Sequence, residues 1–204
     1  MCNGLENAEK GIESNTMELK KYGIFLVFLL TFSAIAGCNS DKDWRTASRE
    51  PAQILPDPKM SHEAVLAVLG AKAWGWRGWF AIHTWIAVKK TGETAYTVYD
   101  VVGWRGRHGR SVLGIYEDIP DRYWYGSKPK LIQFKKGKGV DALIDKVDKA
   151  ARAYPWKNRY KAFPGPNSNT FTAWVGLQVP ELQMDLPFSA IGNGYADKKK
   201  AVPI

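Results

Sequence analysis

The stretch from Trp79 to Val88 constrains the fold most strongly, because its even-numbered and odd-numbered positions are both mainly apolar. Successive side chains of a strand point to opposite faces of a sheet, so a strand with two apolar faces needs a covering layer on each side. The turn signal Thr91-Gly-Glu93 follows it, and residues 94–102 are typical of a second strand. The sequence therefore predicts an antiparallel hairpin inside a sheet that is covered on both faces.

Periodicity predicts several further elements. Short strands are expected over residues 110–116 and 130–136. Apolar residues recur at helical spacing along residues 139–154, and a capped helix is expected over residues 61–73. A third helix, over residues 168–178, follows the prolines of the motif FPGPNSNTF. The predicted fold class is α+β, with a small antiparallel sheet flanked by about three helices.

The segment from Met17 to Cys38 has the layout of an export signal. Lys20 and Lys21 precede an apolar run over residues 22–36, which is shorter than the roughly 20 residues that cross a bilayer. Its last four residues, IAGC, resemble the lipobox of bacterial lipoproteins. The resemblance implies cleavage before Cys38 and acylation of that cysteine, with more than one acyl chain for stable anchoring. The alternative is an ordinary cleaved signal with a chance cysteine.

These segments predict three parts. They are a leader and signal peptide (1–37), a lipidated cysteine with a polar, proline-containing tether (38–60), and a single globular domain (61–204). Residues 1–16 lack signal features, which suggests that translation begins at Met17. The expected location is the cell envelope, facing the periplasm. Asn39 is not the aspartate that marks inner-membrane retention in some bacteria, which favours the outer membrane.

Cysteine use and charge exclude several classes of protein. Cys2 and Cys38 both precede the predicted domain, so the domain can hold no disulfide, no cysteine nucleophile and no thiolate zinc site. With three scattered histidines, no metal site and no cofactor are expected. The net charge of +9 favours anionic partners. Behind an export signal these are lipid headgroups or peptidoglycan, reached from a membrane held through Cys38, and not nucleic acid.

Two features could carry chemistry. His83 is a polar residue in an apolar strand, and such a group needs a partner when buried. In FPGPNSNTF, Asn167 suits a helix cap, and Ser168 would open the helix beside free backbone N–H groups. We therefore predict Ser168 as a nucleophile and His83 as its base, with Asn167 and Asn169 supporting the loop or an oxyanion. The alternative is a structural histidine and a simple helix cap, which contributes about 1 kcal/mol.

The motifs WGWRGWFAIHTWIAVK, PDRYWYG, YKAFPGPNSNTF and LPFSAIG resemble a family of bacterial envelope proteins of unknown function, over about residues 61–195. More distantly, a strand histidine followed by a polar residue at a helix start is similar to the circularly permuted papain-like hydrolases. This resemblance implies a permuted papain-like core with His83 as base and Ser168 in the place of the family's cysteine. Asp100 is the expected orienting residue, with Tyr99 and His108 as further candidates.

Serine at the nucleophile position departs from that pattern and leaves two functions open. The first is a membrane-tethered hydrolase or acyl transferase that acts on an amide or ester of the cell envelope. The second is a non-catalytic module, on a scaffold that has lost catalysis, which binds a glycan, lipid or peptide or serves only as a structural accessory. All nine tryptophans follow Cys38, so an aromatic cleft is compatible with either function.

Overall fold

The structure, a computed structural model, describes residues 43–196. The predicted signal peptide and Cys38 lie outside the described residues. Five strands form one sheet in the order β4-β3-β2-β1-β5, and every neighbouring pair is antiparallel. The strands are β1 (Val65–Lys72), β2 (Ile82–Lys89), β3 (Thr97–Val101), β4 (Leu113–Glu117) and β5 (Lys130–Lys136).

The hairpin predicted from the apolar stretch is formed. Strands β2 and β3 pair with Ile86 opposite Tyr99, and buried side chains lie on both faces of β2. Strand β2 begins at Ile82, later than the pattern suggested. The preceding residues form a short 3-10 helix, Gly75–Trp79, whose aromatic side chains are exposed to solvent.

The helix expected over residues 61–73 is wrong, because this segment contains β1. From Val65 to Leu69 every residue is apolar and fully buried. The segment pairs with β2 on one side and β5 on the other, and a strand in that position has both faces covered. Pairing with two neighbouring strands therefore decides against the helix.

The described part also contains three α-helices, α1 (Gly103–Arg107), α2 (Val140–Arg152) and α3 (Ser168–Gln178), and two short 3-10 helices, Pro180–Leu182 and Asn193–Tyr195. Of these, α2 and α3 confirm the helices expected over residues 139–154 and 168–178. Together α2 and α3 cover one face of the sheet, here called the helix face, where Phe171 and Trp174 meet Leu66 and Ile86. The α+β class with an antiparallel sheet is confirmed.

The opposite face, here called the tryptophan face, has a different cover. Trp85 and Trp124 pack there with the odd-numbered residues of β1, and Leu55 adds to this cluster from the preceding segment. That segment is fastened by backbone bonds such as Ala52 N–H to Asp121 O at 3.1 Å. Within the described residues 43–196, no helix combines the length and the apolar character that a bilayer span requires.

Candidate functional site

The start of α3 is closed by side chains of the motif itself. The Thr170 N–H donates to Asn167 Oδ1 at 3.1 Å, and the Asn167 N–H donates to Thr170 Oγ1 at the same distance. This reciprocal pair forms a capping box, which satisfies two N–H groups that a helix start otherwise leaves without partners. The expected capping role of Asn167 is thus present.

The same motif clamps the loop that follows residue 188. Asn167 Nδ2 donates to the Ile191 carbonyl at 3.0 Å, Asn169 Nδ2 donates to the same carbonyl at 2.9 Å, and Thr170 Oγ1 donates to the Gly192 carbonyl at 2.7 Å. Gly192 has a φ of 95°, and a Cβ atom there would lie 2.3 Å from Asn167 Nδ2. The motifs PGPNSNTF and LPFSAIG therefore meet in one buried network.

The network also joins α3 to β2 on the helix face. Thr84 Oγ1 donates to Asn169 Oδ1 at 2.9 Å and lies 2.9 Å from Thr172 Oγ1. Asn169 Nδ2 donates to the Ile82 carbonyl at 3.0 Å. Ser168 lies one turn before Thr172 on the same side of the helix and is buried. The side chain of β2 that faces the helix start is therefore Thr84.

The predicted contact between Ser168 and His83 is not formed. His83 follows Ile82 and precedes Thr84, so its side chain points to the opposite face of the strand. It contacts the tryptophan face, and the Ser168 hydroxyl makes no hydrogen bond to any residue from 43 to 196. The sheet backbone lies between the two groups, so the structure does not assemble Ser168 and His83 into a nucleophile and base.

On the tryptophan face, the structure brings His83 and Asp100 together. His83 Nε2 lies 2.9 Å from Asp100 Oδ1, and both side chains are buried. Because a carboxylate only accepts hydrogen bonds, Nε2 is the protonated nitrogen. The other nitrogen, Nδ1, has no hydrogen-bond partner within residues 43–196. The pair therefore leaves one imidazole nitrogen that could bond to a ligand.

Aromatic rings enclose this pair. The indole of Trp124 stacks on the imidazole of His83, with ring centroids 3.6 Å apart and planes 6° from parallel. Trp104, from α1, stacks on Trp124 at 5.8 Å and is 43% exposed. Trp85 lies 5.9 Å from the imidazole and is held by a bond from its Nε1 to the Pro120 carbonyl. The result is a layered aromatic surface that reaches from the buried imidazole to solvent.

Arginines lie near two tyrosines that are also influenced by the charge of Asp100. Burial and then the charge of Asp100 raise the pKa of the Tyr116 hydroxyl. Three guanidinium groups lower the pKa of the same hydroxyl by their charge, namely those of Arg105, Arg122 and Arg49. Burial likewise raises the pKa of Tyr160, while Arg77 lowers it and Asp100 raises it. Cationic side chains thus lie in the wider neighbourhood of Asp100, although Arg122 is already paired with Asp118, and such charges favour an anionic ligand.

The other candidates do not join this site. Asp100 forms the contact with His83, whereas Tyr99 points to the helix face and donates to Asp148 Oδ1 at 3.0 Å. His108 ends the short helix α1 and is exposed, and His62 is exposed near the start of β1. Among residues 43–196, no group of three or more histidine, cysteine or acidic side chains could hold a metal ion.

Reasoning from the sequence missed the residues that enclose His83. Trp124 lies in PDRYWYG, a segment with too many turn residues to predict regular structure, and Trp104 lies in a glycine- and arginine-rich turn. Their aromatic character was a signal, but no periodicity linked them to β2. Only the tertiary packing shows that they stack beside the histidine.

Comparison with known proteins finds one family. A family model described as "Protein of unknown function (DUF3750)" matches residues 63–195, which includes every strand and helix named above. No curated protein and no solved structure matches the chain.

Proposed function

The chain belongs to the DUF3750 family of proteins of unknown function, and from its geometry we propose a cell-envelope binding module. In this proposal the tryptophan face holds a glycopeptide of the peptidoglycan class, and Ser168 takes no part in turnover. The observation that carries the proposal is the His83–Asp100 pair, stacked beneath Trp124 and Trp104, with arginines beside the neighbouring Tyr116. The predicted export signal and Cys38 would supply the location at a membrane.

The chemistry of the face supports this ligand class. Small-ligand sites combine aromatic walls with a few polar groups that fix orientation. Trp104 offers a partly exposed ring on which the apolar face of a sugar can pack. Guanidinium groups bind carboxylates with strong, directional hydrogen bonds, and peptidoglycan carries carboxylates on its peptides. With Nε2 engaged by Asp100, His83 Nδ1 can accept one hydrogen bond from the ligand.

The helix face supports a structural function for the motif PGPNSNTF. A nucleophile at the start of α3 would need a base on the adjacent position of β2, and that position is occupied by Thr84. The Thr84 hydroxyl is already engaged by Asn169 and Thr172. We therefore propose that the predicted permuted papain-like core is a degenerate scaffold. Its helix start still packs across β2, but without a base at that place.

A second candidate is the envelope hydrolase or acyl transferase. One observation favours it: Asp100 holds the imidazole of His83 as an orienting carboxylate holds a general base. In this case His83 would activate water or a ligand hydroxyl, because Ser168 lies across the sheet. The two candidates differ in whether covalent bonds of the ligand are broken.

Sedimentation with purified peptidoglycan sacculi tests the proposal, with the full chain kept in mild detergent. We expect Trp104→Ala to weaken binding about tenfold or more, equivalent to ~1.4 kcal/mol. Phe134→Ala is the matched control, because Phe134 is 42% exposed on the far edge strand β5. Phe134→Ala and Ser168→Ala should both bind sacculi as tightly as the wild type does.

Two results would overturn the proposal. Loss of binding in Ser168→Ala but not in Trp104→Ala would move the site to the helix face. Release of soluble muropeptides, absent in His83→Gln, would favour the hydrolase, since glutamine keeps a donor for Asp100 but cannot act as a base. Chromatography of the supernatant measures this release.

A further inference from the structure

The turn between β1 and β2 exposes three large aromatic side chains. Trp76 is 64% exposed, Trp79 is 78% exposed and Phe80 is 51% exposed. We propose that this aromatic turn, residues 74–80, docks into the headgroup region of an anionic bilayer; the membrane location itself rests on the proposed function. The inference concerns orientation at the membrane and is independent of the ligand proposed for the tryptophan face.

Hydrogen bonds fix the shape of the aromatic turn. The Ala73 N–H donates to the Ala81 carbonyl at 3.0 Å, and the Ala81 N–H donates to the Arg77 carbonyl at 2.9 Å. At Gly78 the backbone approaches Ala73 so closely that a Cβ atom would lie 2.3 Å from the Ala73 carbonyl oxygen. The rings are thus held outwards by a closed loop. A set of large apolar side chains held in water in this way is typical of an interaction surface.

The chemistry of the aromatic turn matches a membrane interface. Tryptophan concentrates at the headgroup level of bilayers because its ring is apolar and its N–H is polar. The guanidinium of Arg77 lies 5.9 Å from the ring of Trp76, where it can reach a lipid phosphate while the ring enters the interface. From Lys72 to Phe80 the chain carries two cations and no acid. Anionic headgroups therefore complement this surface.

A further aromatic residue lies at the same edge. The Ile82 N–H donates to the Ser189 carbonyl at 2.9 Å, which holds the loop of residues 187–190 against the start of β2. In this loop Phe188 is fully exposed. The loop thus adds one more exposed aromatic ring close to the start of β2.

The N-terminal segment joins the domain beside the aromatic turn. The Gly126 N–H donates to the Ser48 carbonyl at 2.9 Å, and the guanidinium of Arg49 lies 4.7 Å from the ring of Tyr125. That ring contacts Trp74, the first residue of the turn, at 5.5 Å. An extended chain from Cys38 to Ser48 spans at most about 35 Å. An anchor at Cys38 would therefore keep Ser48, and with it this edge of the domain, within about 35 Å of the membrane.

Quenching by brominated lipid tests the inference. The full chain is reconstituted into vesicles of phosphatidylglycerol and phosphatidylethanolamine, with or without bromine on the acyl chains, and tryptophan emission is compared. We expect bromine to quench the wild type, and Trp76→Phe/Trp79→Phe to remove most of the quenchable emission. Trp104→Phe is the control and should keep it. All three positions are exposed, so the variants should fold, which circular dichroism checks.

Three outcomes would overturn the inference. The first is equal quenching in the wild type and in Trp76→Phe/Trp79→Phe. The second is loss of quenching in Trp104→Phe alone, which would place the tryptophan face at the membrane. The third is emission from the turn that changes with protein density in the vesicle and not with bromine, which would identify a second copy of the chain as the occupant. None of these depends on the binding of sacculi, so the two proposals fail separately.

Discussion

Asn169 tests the claim that the motif PGPNSNTF stabilises the fold. Its amide nitrogen donates to the Ile82 and Ile191 carbonyls at 3.0 and 2.9 Å, and its oxygen accepts from Thr84. Asn169→Asp keeps the shape and the acceptor but removes both donors. It also places a buried carboxylate against two carbonyl oxygens, so we expect a large loss of stability.

The magnitude follows from two buried groups that lose or lack a donor. The Ile191 carbonyl still accepts from Asn167 Nδ2, but the Ile82 carbonyl loses its side-chain donor, and the new carboxylate oxygen that faces the two carbonyls has none. Each such group costs about 1–3 kcal/mol, so Asn169→Asp should lower the free energy of unfolding by roughly 2–6 kcal/mol at pH 7. Acidification should reduce this loss, because a protonated carboxyl regains one donor. The Thr84 hydroxyl keeps its contact with Thr172, which holds the effect within this range.

Asn193→Asp is the matched control. The Gly194 N–H donates to Asn193 Oδ1, and aspartate preserves that bond at a position that is only partly buried. Its effect should stay within about 0.5 kcal/mol. Urea unfolding followed by tryptophan emission compares the variants. The dependence of the free energy of unfolding on urea concentration should be equal in both, so that a shifted midpoint reports stability alone. Equal stability of Asn169→Asp and Asn193→Asp would refute the assignment of a structural function to the motif.

Three further predictions concern stability. Gly192→Ala should be strongly destabilising, because the new Cβ meets the Asn167 side chain at a positive φ; thermal unfolding measures it, and an unchanged midpoint would contradict the packing described. Burial opposes ionisation of Asp148, but hydrogen bonds from its neighbours, including Tyr99, outweigh burial and lower its pKa. Tyr99→Phe should thus cost about 1–2 kcal/mol at neutral pH, and the difference from wild type should shrink as the pH falls through that lowered pKa; a pH-independent difference would contradict this. Burial, with nearby carboxylates, raises the pKa of Tyr96 to about 12. The contribution of Tyr96 to the free energy of unfolding should therefore be complete below pH 10 and should be lost between pH 10 and about 12. Tyr96→Phe should lack this part of the alkaline loss of stability, and an unchanged pH profile in urea unfolding would count against the assignment.

Much of the fold was predictable from local pattern. Strand β2 and its hairpin partner follow from apolar residues bounded by a turn, and α2 follows from its helical period. Strand β1 did not follow, because a short, wholly apolar run fits a buried strand or a buried helix equally well. Its neighbours β2 and β5, which decide between the two, are distant in sequence.

The site was predictable in part for a related reason. A buried histidine needs a partner, and adjacent strands made Asp100 available, so the contact between them could be anticipated. The face of β2 that meets α3 could not be anticipated, because both faces are apolar and a shift of one residue exchanges them. The structure places Thr84 and not His83 towards Ser168. Because alternate residues of β2 point to opposite faces, His83 and Ser168 lie on opposite sides of the sheet.

The most direct test of the central claim, that ligand binds on the tryptophan face, is an NMR titration of the full chain in micelles with a soluble muropeptide. The indole N–H signals of Trp104 and Trp124 should shift with ligand concentration, while the backbone amides of Ser168 and Asn169 stay in place. Shifts confined to those two amides, with both indole signals unmoved, would contradict the account.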